Sequence, residues 1–284
     1  MTSPQTPSVS IVSVSYYSLD CVDPFLESVL LASTSTVPTT VVNNAPDDRE
    51  IGPALADRDR VRLVEAGSNL GYGAGMNLGT RESGHPDWFL LANPDLTFEP
   101  GAIDELVRVG ESDSTIGAVG PLIYTAGGEV YPSARRLPSL RDGIGHALFG
   151  LIWKSNPWTR AYLADREDPP VQREAGWLSG ACLLVRREAF EAVGGFDDKF
   201  FMYFEDVDIC ARMHHAGWRI VYAPSAVITH TGGHSTQAAN RTMIGIHHES
   251  AYKYLAARYR AWYLAPLRFA LLVGLRVRAS IAKR

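Results

Sequence analysis

The sequence predicts an α/β fold built on a doubly wound, mostly parallel sheet. Three observations predict it. Short β-rich runs alternate with helical segments through the first half of the chain. Two of those runs end in polar residues, at Asn43-Asn44 and at Asn93-Pro94-Asp95. The 284 residues are 46% hydrophobic and 20% charged, enough for one large α/β core with appendages. In such sheets ligands bind outside the carboxyl ends of the strands, where Asn43, Asn44, Asn93 and Asp95 fall.

Residues 8–16 are β-rich and read as the first buried strand. Asp23 followed by Pro24 reads as an N-cap with proline at the first helical position, the helix continuing through Leu26, Val29 and Leu30. Residues 39–44, 61–64 and 88–92 read as three further strands. The glycines of residues 69–79 fail the dinucleotide-binding register: counted from Gly71 the third glycine position is Met76, and from Gly73 it is Leu78. They still permit close backbone approach to a ligand, though a loop-to-helix junction explains them equally well. A helix is expected from Pro100 to about Val109, then a strand near 116–124 and a hairpin turn at Gly127-Gly128. Arg135 and Arg136 are either a solvated basic pair or an anion clamp. Residues 153–174, rich in Pro, charge and aromatics, read as a mobile loop. Small residues before a strand over 176–185 let a ligand lie against backbone, and a short helix over 186–193 ends at Gly194-Gly195. Residues 218–222 and 226–230 read as two short strands, with His230 ending the second near Gly232, Gly233 and His234.

Charge is unevenly spread. After Glu249 there are eight basic residues and no acidic one, so the net −4 of the chain leaves −12 on the body before it. An acidic body argues against nucleic acid as a partner. The helical tail after Ile246 interleaves arginines with Trp262, Tyr263, Phe269 and Val273. It fits a helix lying on an anionic membrane surface as well as it fits a core-packing helix pair. Cys21, Cys182 and Cys210 form no disulfide framework or zinc pattern, as expected in a reducing compartment. The polar start of the chain lacks the apolar region of a signal peptide, and no run reaches about 18 uninterrupted apolar residues.

One stretch concentrates chemistry: aromatic residues 201–204 run into Glu205, Asp206 and Asp208, which open a helical pattern. Acidic residues suit a first helical turn, so a capped surface helix accounts for them. The apolar approach supports a second reading, a desolvated carboxylate tuned as a general base.

Four motifs in order carry a resemblance over residues 8–230: the first strand at 11–16, Asn69-Leu70-Gly71-Tyr72-Gly73 with Asn77, Asn93-Pro94-Asp95, and Phe204-Glu205-Asp206-Val207-Asp208. Together they resemble the family 2 inverting glycosyltransferases of the GT-A fold. Within that family the resemblance is strongest to the actinobacterial cell-wall-linker subgroup, which moves L-rhamnose from dTDP-rhamnose onto GlcNAc-diphospho-decaprenol. The stretch at 131–136 and the basic tail carry that likeness.

The resemblance implies Asp206 as base, with Glu205 and Asp208 in support. It implies nucleotide-sugar contacts at Ser15, Tyr16, Asn43, Asn44, Asn69, Gly71, Tyr72, Gly73, Asn77, Asn93 and Asp95. It implies acceptor contacts at Arg135, Arg136, Trp177, Ser179 and Gly180, and a divalent metal, Mg²⁺ or Mn²⁺, at Asp95 and His230. Asn93 replaces the first acid of the family's Asp-x-Asp, and Asn43 stands where many members have Asp. The expected layout is a GT-A domain at 1–245, with a nucleotide-sugar half at about 8–125 and an acceptor half at about 126–245, then the basic tail at 246–284. The expected partners are a nucleotide sugar, a lipid-linked glycan, a membrane surface and a second copy in a homodimer. The expected location is the cytoplasm, peripheral on the inner face of the plasma membrane. Alternatives are a UDP- or GDP-sugar donor with another glycan acceptor, or a non-catalytic partner in a glycosyltransferase complex.

Overall fold

A computed structural model of the chain describes residues 6–138, 170–232 and 240–282. The first half alternates strictly: β1 (Val9–Ser15), α1 (Leu19–Ala32), β2 (Thr39–Asn43), α2 (Ile51–Leu55), β3 (Val61–Glu65), α3 (Tyr72–Glu82) and β4 (Trp88–Ala92). A short β5 (Leu96–Phe98), α4 (Ala102–Glu111) and β6 (Ile116–Thr125) follow. The second half contributes β7 (Val130–Tyr131), β8 (Ala134–Arg135), β9 (Arg173–Glu174), β10 (Trp177–Leu178), β11 (Cys182–Arg186), α5 (Arg187–Ala192), α6 (Glu205–His215) and β12 (Arg219–His230). Two helices close the described chain, α7 (Asn240–Arg258) and α8 (Ala265–Ala282).

The main sheet runs β3-β2-β1-β4-β11-β6-β12-β5. Strands β1 to β4 pair in parallel, and β12 lies parallel to β6. Strand β11 enters antiparallel between β4 and β6, so the sheet is mixed and mostly parallel. After β1 the chain builds outward to β2 and β3, then returns to lay β4 on the other side of β1. That reversal opens a crevice at the carboxyl ends of β1 and β4, beside Tyr16 and Asn93.

Both faces of the sheet are covered, which is why β2 and β4 are buried along their whole length. One face packs Val22, Phe25 and Val29 of α1 and Ile103, Leu106 and Val109 of α4. The other packs Met76 of α3, Phe190 of α5, and Ile209, Cys210 and Met213 of α6. Each large side chain buried here contributes about 1.5–3 kcal/mol. A third, smaller cluster joins Phe200, Val207 and Ala211 to Tyr254, seating α7 on α6.

Several local expectations are corrected. Helix α1 starts at Leu19 rather than at Asp23, and Pro24 lies inside it. The Ser18 carbonyl accepts from both Cys21 and Val22, so the first turn is already closed before the proline. The burial of Val22 and Phe25 outweighs the one hydrogen bond that Pro24 forgoes. The expected strands at 218–222 and 226–230 are one strand, β12, whose register shifts between Ala223 and Val227. The bulge absorbs Pro224, which cannot donate to the ladder. Helix α4 begins at Ala102, two residues after Pro100. Of the stretch read as a mobile loop, residues 153–169 lie outside the described residues, and Arg173–Glu174 pair antiparallel with β12. Gly233 and His234 also lie outside them. The tail folds as two helices. Pro266 takes the second position of α8, where a missing N–H costs nothing. The Arg268 guanidinium bridges the turn by donating to the Tyr259 and Ala261 carbonyls, both at 2.8 Å. The expected 245/246 division falls inside α7.

Candidate active site

The glycine motif and the acidic motif, about 130 residues apart in sequence, are joined by backbone. Gly71 takes a φ of +82°, and a Cβ there would collide with the Phe201 carbonyl oxygen. That same oxygen accepts the Tyr72 N–H at 2.9 Å. Only glycine allows this approach.

From Phe201 the chain enters α6 through two strained residues. Tyr203 and Phe204 have φ of +67° and +68°, costly for aromatic side chains. The turn delivers Glu205 and Asp206 at the helix start. Asp206 is half-buried, and it is fixed by backbone: its Oδ2 accepts the Gly180 N–H at 3.1 Å and its Oδ1 the Val207 N–H at 2.8 Å. Burial raises its pKa, opposed by those N–H groups and by the Arg135 charge. Glu205 is 6% exposed, and its Oε2 has no hydrogen-bond partner among the described residues. Burial first, and the neighbouring Asp206 second, raise its pKa well above the usual carboxylate range. Tyr72 donates its hydroxyl to the Gly180 carbonyl, so Gly180 holds Tyr72 and Asp206 together. Burial first, then the charges of Glu205, Asp206 and Asp95, raise the pKa of the phenol.

Asp208 is not brought to this group. Its carboxylate turns to Arg212 at 2.6 Å and Lys199 at 3.5 Å, as two residues of helical rotation require. On the facing side, β8 and β10 pair and set Arg135 over the Trp177 ring at 5.3 Å. The Arg135 Nε also donates to the Pro132 carbonyl at 2.8 Å, and Ser179 N–H bonds the Ser133 carbonyl at 2.7 Å. Arg136 is exposed on the same segment.

Past β4, Asn93 N–H bonds Ala181 O and turns the chain toward Asp95. Asp95 Oδ1 meets His230 Nε2 at 3.0 Å, where β12 ends beside β5. Both side chains are partly open, at 15% and 21% exposure, so a third group can reach them. An open oxygen–nitrogen pair suits a divalent ion whose other ligands come from phosphate oxygens and water. Among the described residues no three His, Cys, Asp or Glu side chains converge on a metal position.

The asparagines bond the protein itself. Asn43 Nδ2 bonds Glu65 at 2.8 Å and the Asp48 carbonyl, and its Oδ1 accepts from Ala45. Asn44 bonds the Asn69 side chain, the Gly71 carbonyl and the Leu70 N–H. Asn77 holds Phe196 through both its N–H and its carbonyl. All three pin loops. Gly73 sits against Phe196 and Glu205, closing the floor of the cleft. Ser15 is fully buried, and its carbonyl holds Asn44 N–H, whereas Tyr16 at the strand end is 39% exposed. Sequence reasoning missed the support of Phe204 by α7: its ring meets His247 at 5.4 Å and Tyr254 at 5.8 Å. No spacing in the sequence signals a contact between such distant segments.

Residues 7–245 match the family described as "Glycosyltransferase like family 2". The chain is 42% identical to N-acetylglucosaminyl-diphospho-decaprenol L-rhamnosyltransferase of Mycobacterium tuberculosis, over 98% of this chain and 94% of that protein. It is 28% identical to rhamnosyltransferase WbbL of Escherichia coli K12, over 68% of this chain and 73% of that one. Among solved structures it resembles mannosyltransferase PcManGT of Pyrobaculum calidifontis in complex with GDP-Man and Mn²⁺. The TM-score is 0.61 at 16% identity, covering 99% of this chain and 73% of that chain. GalNAc-T7 with UDP, GalNAc and Mn²⁺ gives 0.56 at 14% identity, covering 80% of this chain and 44% of that chain. At these identities the structural likeness establishes the fold, a GT-A glycosyltransferase fold.

Proposed function

Since the chain belongs to glycosyltransferase-like family 2, we propose that it is an inverting transferase moving L-rhamnose from dTDP-rhamnose onto GlcNAc carried on a polyprenyl diphosphate. One observation carries the reading: Asp206, half-buried and held by backbone, bonds Gly180, and the next residue, Ala181, accepts the Asn93 N–H of the turn that leads to the Asp95–His230 pair. The substrate class follows from the 42% identity to the mycobacterial enzyme across nearly both chains.

Transfer in one step breaks the bond between the anomeric carbon and the donor phosphate, and the electron pair leaves with the nucleoside diphosphate. The acceptor hydroxyl forms the new bond from the opposite face, and its proton passes to the Asp206 carboxylate. A raised pKa makes Asp206 a stronger base than an ordinary aspartate. Asp95 and His230 would hold the divalent cation, which supplies positive charge against the leaving diphosphate. Exposed Tyr16 offers a flat surface for the base, and Arg135 and Arg136 offer positive charge to the acceptor diphosphate. Asp208, through Arg212, ties α6 to the Val193 carbonyl.

The membrane expectation attaches to α8 and the short turn before it. Trp262, Tyr263 and Phe269 are 85%, 66% and 68% exposed, next to Arg268 and Arg276. No helix among the described residues is long and apolar enough to cross a membrane. We read this surface as resting on an anionic leaflet, where a polyprenyl acceptor lies, which would place the enzyme at the cytoplasmic face.

The test is nucleoside diphosphate release by the full chain with dTDP-rhamnose, UDP-sugars and GDP-sugars, with and without a short-chain GlcNAc-diphospho-prenyl acceptor. Turnover confined to dTDP-rhamnose plus acceptor is expected. Turnover of another donor replaces the substrate, and nucleotide binding without turnover favours a non-catalytic partner. Chelation should abolish turnover. Asp95→Ala and His230→Ala should each raise the metal concentration for half-maximal rate at least about tenfold.

A further inference from the structure

The turn that carries Asp206 is held from two sides. On one side Phe201 O accepts Tyr72 N–H. On the other stands α7. Ser250 is 2% exposed, and its Oγ donates to the Met202 carbonyl at 2.8 Å. One turn on, Lys253 Nζ donates to the Lys199 carbonyl at 2.9 Å. Tyr203 and Phe204 both meet the His247 ring at 5.4 Å, and Phe204 also lies on Tyr254, which is 4% exposed.

What these contacts restrain is an unfavourable conformation. Two successive aromatic residues at φ near +67° would relax if nothing held them. Relaxation would rotate the start of α6, since Asp208 N–H bonds Phe204 O and fixes the first turn to that residue. Glu205 and Asp206 would move with it. The gain from a distant helix is therefore specific: Ser250 bonds a backbone carbonyl within the turn, and Lys253 bonds one two residues before it. All four residues of α7 lie beyond residue 245, where the family match ends.

We propose that Ser250 is a positioning residue for transfer, acting from the C-terminal helix to fix the strained 201–204 turn that presents Asp206. The proposal rests on Asp206 being the base. Ser250 touches no reacting atom, so its loss should misplace the carboxylate without disturbing the crevice between β1 and β4. Misplacement of a catalytic group by a fraction of an ångström lowers the rate of the chemical step.

The experiment compares the full-length wild type, Ser250→Ala, Lys253→Ala and Asp206→Asn. Ser250→Ala should lower kcat about 10- to 100-fold, leave KM for the donor within about twofold, and leave nucleotide affinity unchanged. Lys253→Ala, a milder change at a partly exposed side chain, should move kcat the same way by less. Amide exchange over residues 199–206 should quicken in both variants, a readout independent of the donor's identity. Unchanged kcat and unchanged exchange in Ser250→Ala, with Asp206→Asn inactive, would overturn the positioning role alone. A parallel fall in nucleotide affinity and kcat would reduce Ser250 to a general stabilising contact. Full turnover by Asp206→Asn would instead remove the base assignment beneath it. If Ser250→Ala does not fold, the Lys253→Ala kcat and exchange decide the matter.

Discussion

Asn43, Asn44 and Asn77 direct their amides to the protein itself, whereas buried Glu205 leaves Oε2 without a hydrogen-bond partner among the described residues. Asp206 beside it is held by two backbone N–H groups and, among the described residues, forms no ion pair. The two regions are built for different ends. Satisfied amides make the loops rigid, because each lost bond would strand a buried group. Carboxylates kept from water and from full pairing have altered proton affinity, which stability alone does not favour. The amides thus hold the loops, while Glu205 and Asp206 are carboxyls whose proton affinity the fold alters.

The division breaks most visibly at Asp206. Asp206→Asn keeps the shape and can still accept a hydrogen bond from Gly180, but it cannot take a proton. We expect acceptor-dependent turnover to fall by about 1,000-fold or more with dTDP still bound, checked by product release and by nucleotide titration. Substantial residual turnover would move the base elsewhere. Gly71→Ala should act by the opposite route. Its Cβ would meet Phe201 O and its φ would be strained, so we expect a loss of more than about 3 kcal/mol in urea unfolding. Activity should fall further than the folded fraction, because the same clash displaces the turn that carries Asp206.

The legible part of this molecule is the part written locally. Strands β1, β2, β4 and β6 could be read from their β-branched and apolar runs, and the crevice followed from strands alternating with helices. The acidic turn stood out by composition. The roles of the asparagines were not legible, because Asn44 finds its partners 25 to 27 residues away and Asn77 finds Phe196 119 residues away. Asp208 looked equivalent to Asp206 in the sequence, yet Arg212 claims it one helical turn on. The tail admitted two readings for a related reason. Its two helices differ: α7 buries Ala251 and Tyr254 against the core, while α8 carries Phe269 into solvent. A composition averaged over both hides that difference.

Asn44→Ala sharpens the structural half of the comparison. It strands the Leu70 N–H and removes one bond each from Gly71 O and Asn69 Oδ1, which keep the Gly75 and Gly71 N–H groups. About 2–3 kcal/mol of stability should go, measured by denaturant midpoint at constant slope. KM for the donor should rise more than kcat falls, since the glycine loop borders the crevice and the base does not depend on Asn44 directly.

Glu205→Gln should produce the smallest effect and the most informative sign. Burial and Asp206 raise the Glu205 pKa on folding. A carboxyl of that kind binds its proton more tightly in the folded state, so its contribution to stability is full below the unfolded value and is lost as pH rises through the folded one. The charge at Glu205 therefore costs stability in neutral and alkaline solution. Glu205→Gln removes that cost, and the variant should be more stable than the wild type by about 1 kcal/mol near pH 8. The advantage should vanish near pH 4, where both proteins carry a neutral group. Urea midpoints at the two pH values check it. A variant less stable by the same amount at both would mean that the shape of the carboxyl, rather than its charge, is what the pocket holds. A variant stabilised at high pH yet slower in transfer would mean that the cleft keeps an unfavourable charge because transfer needs it.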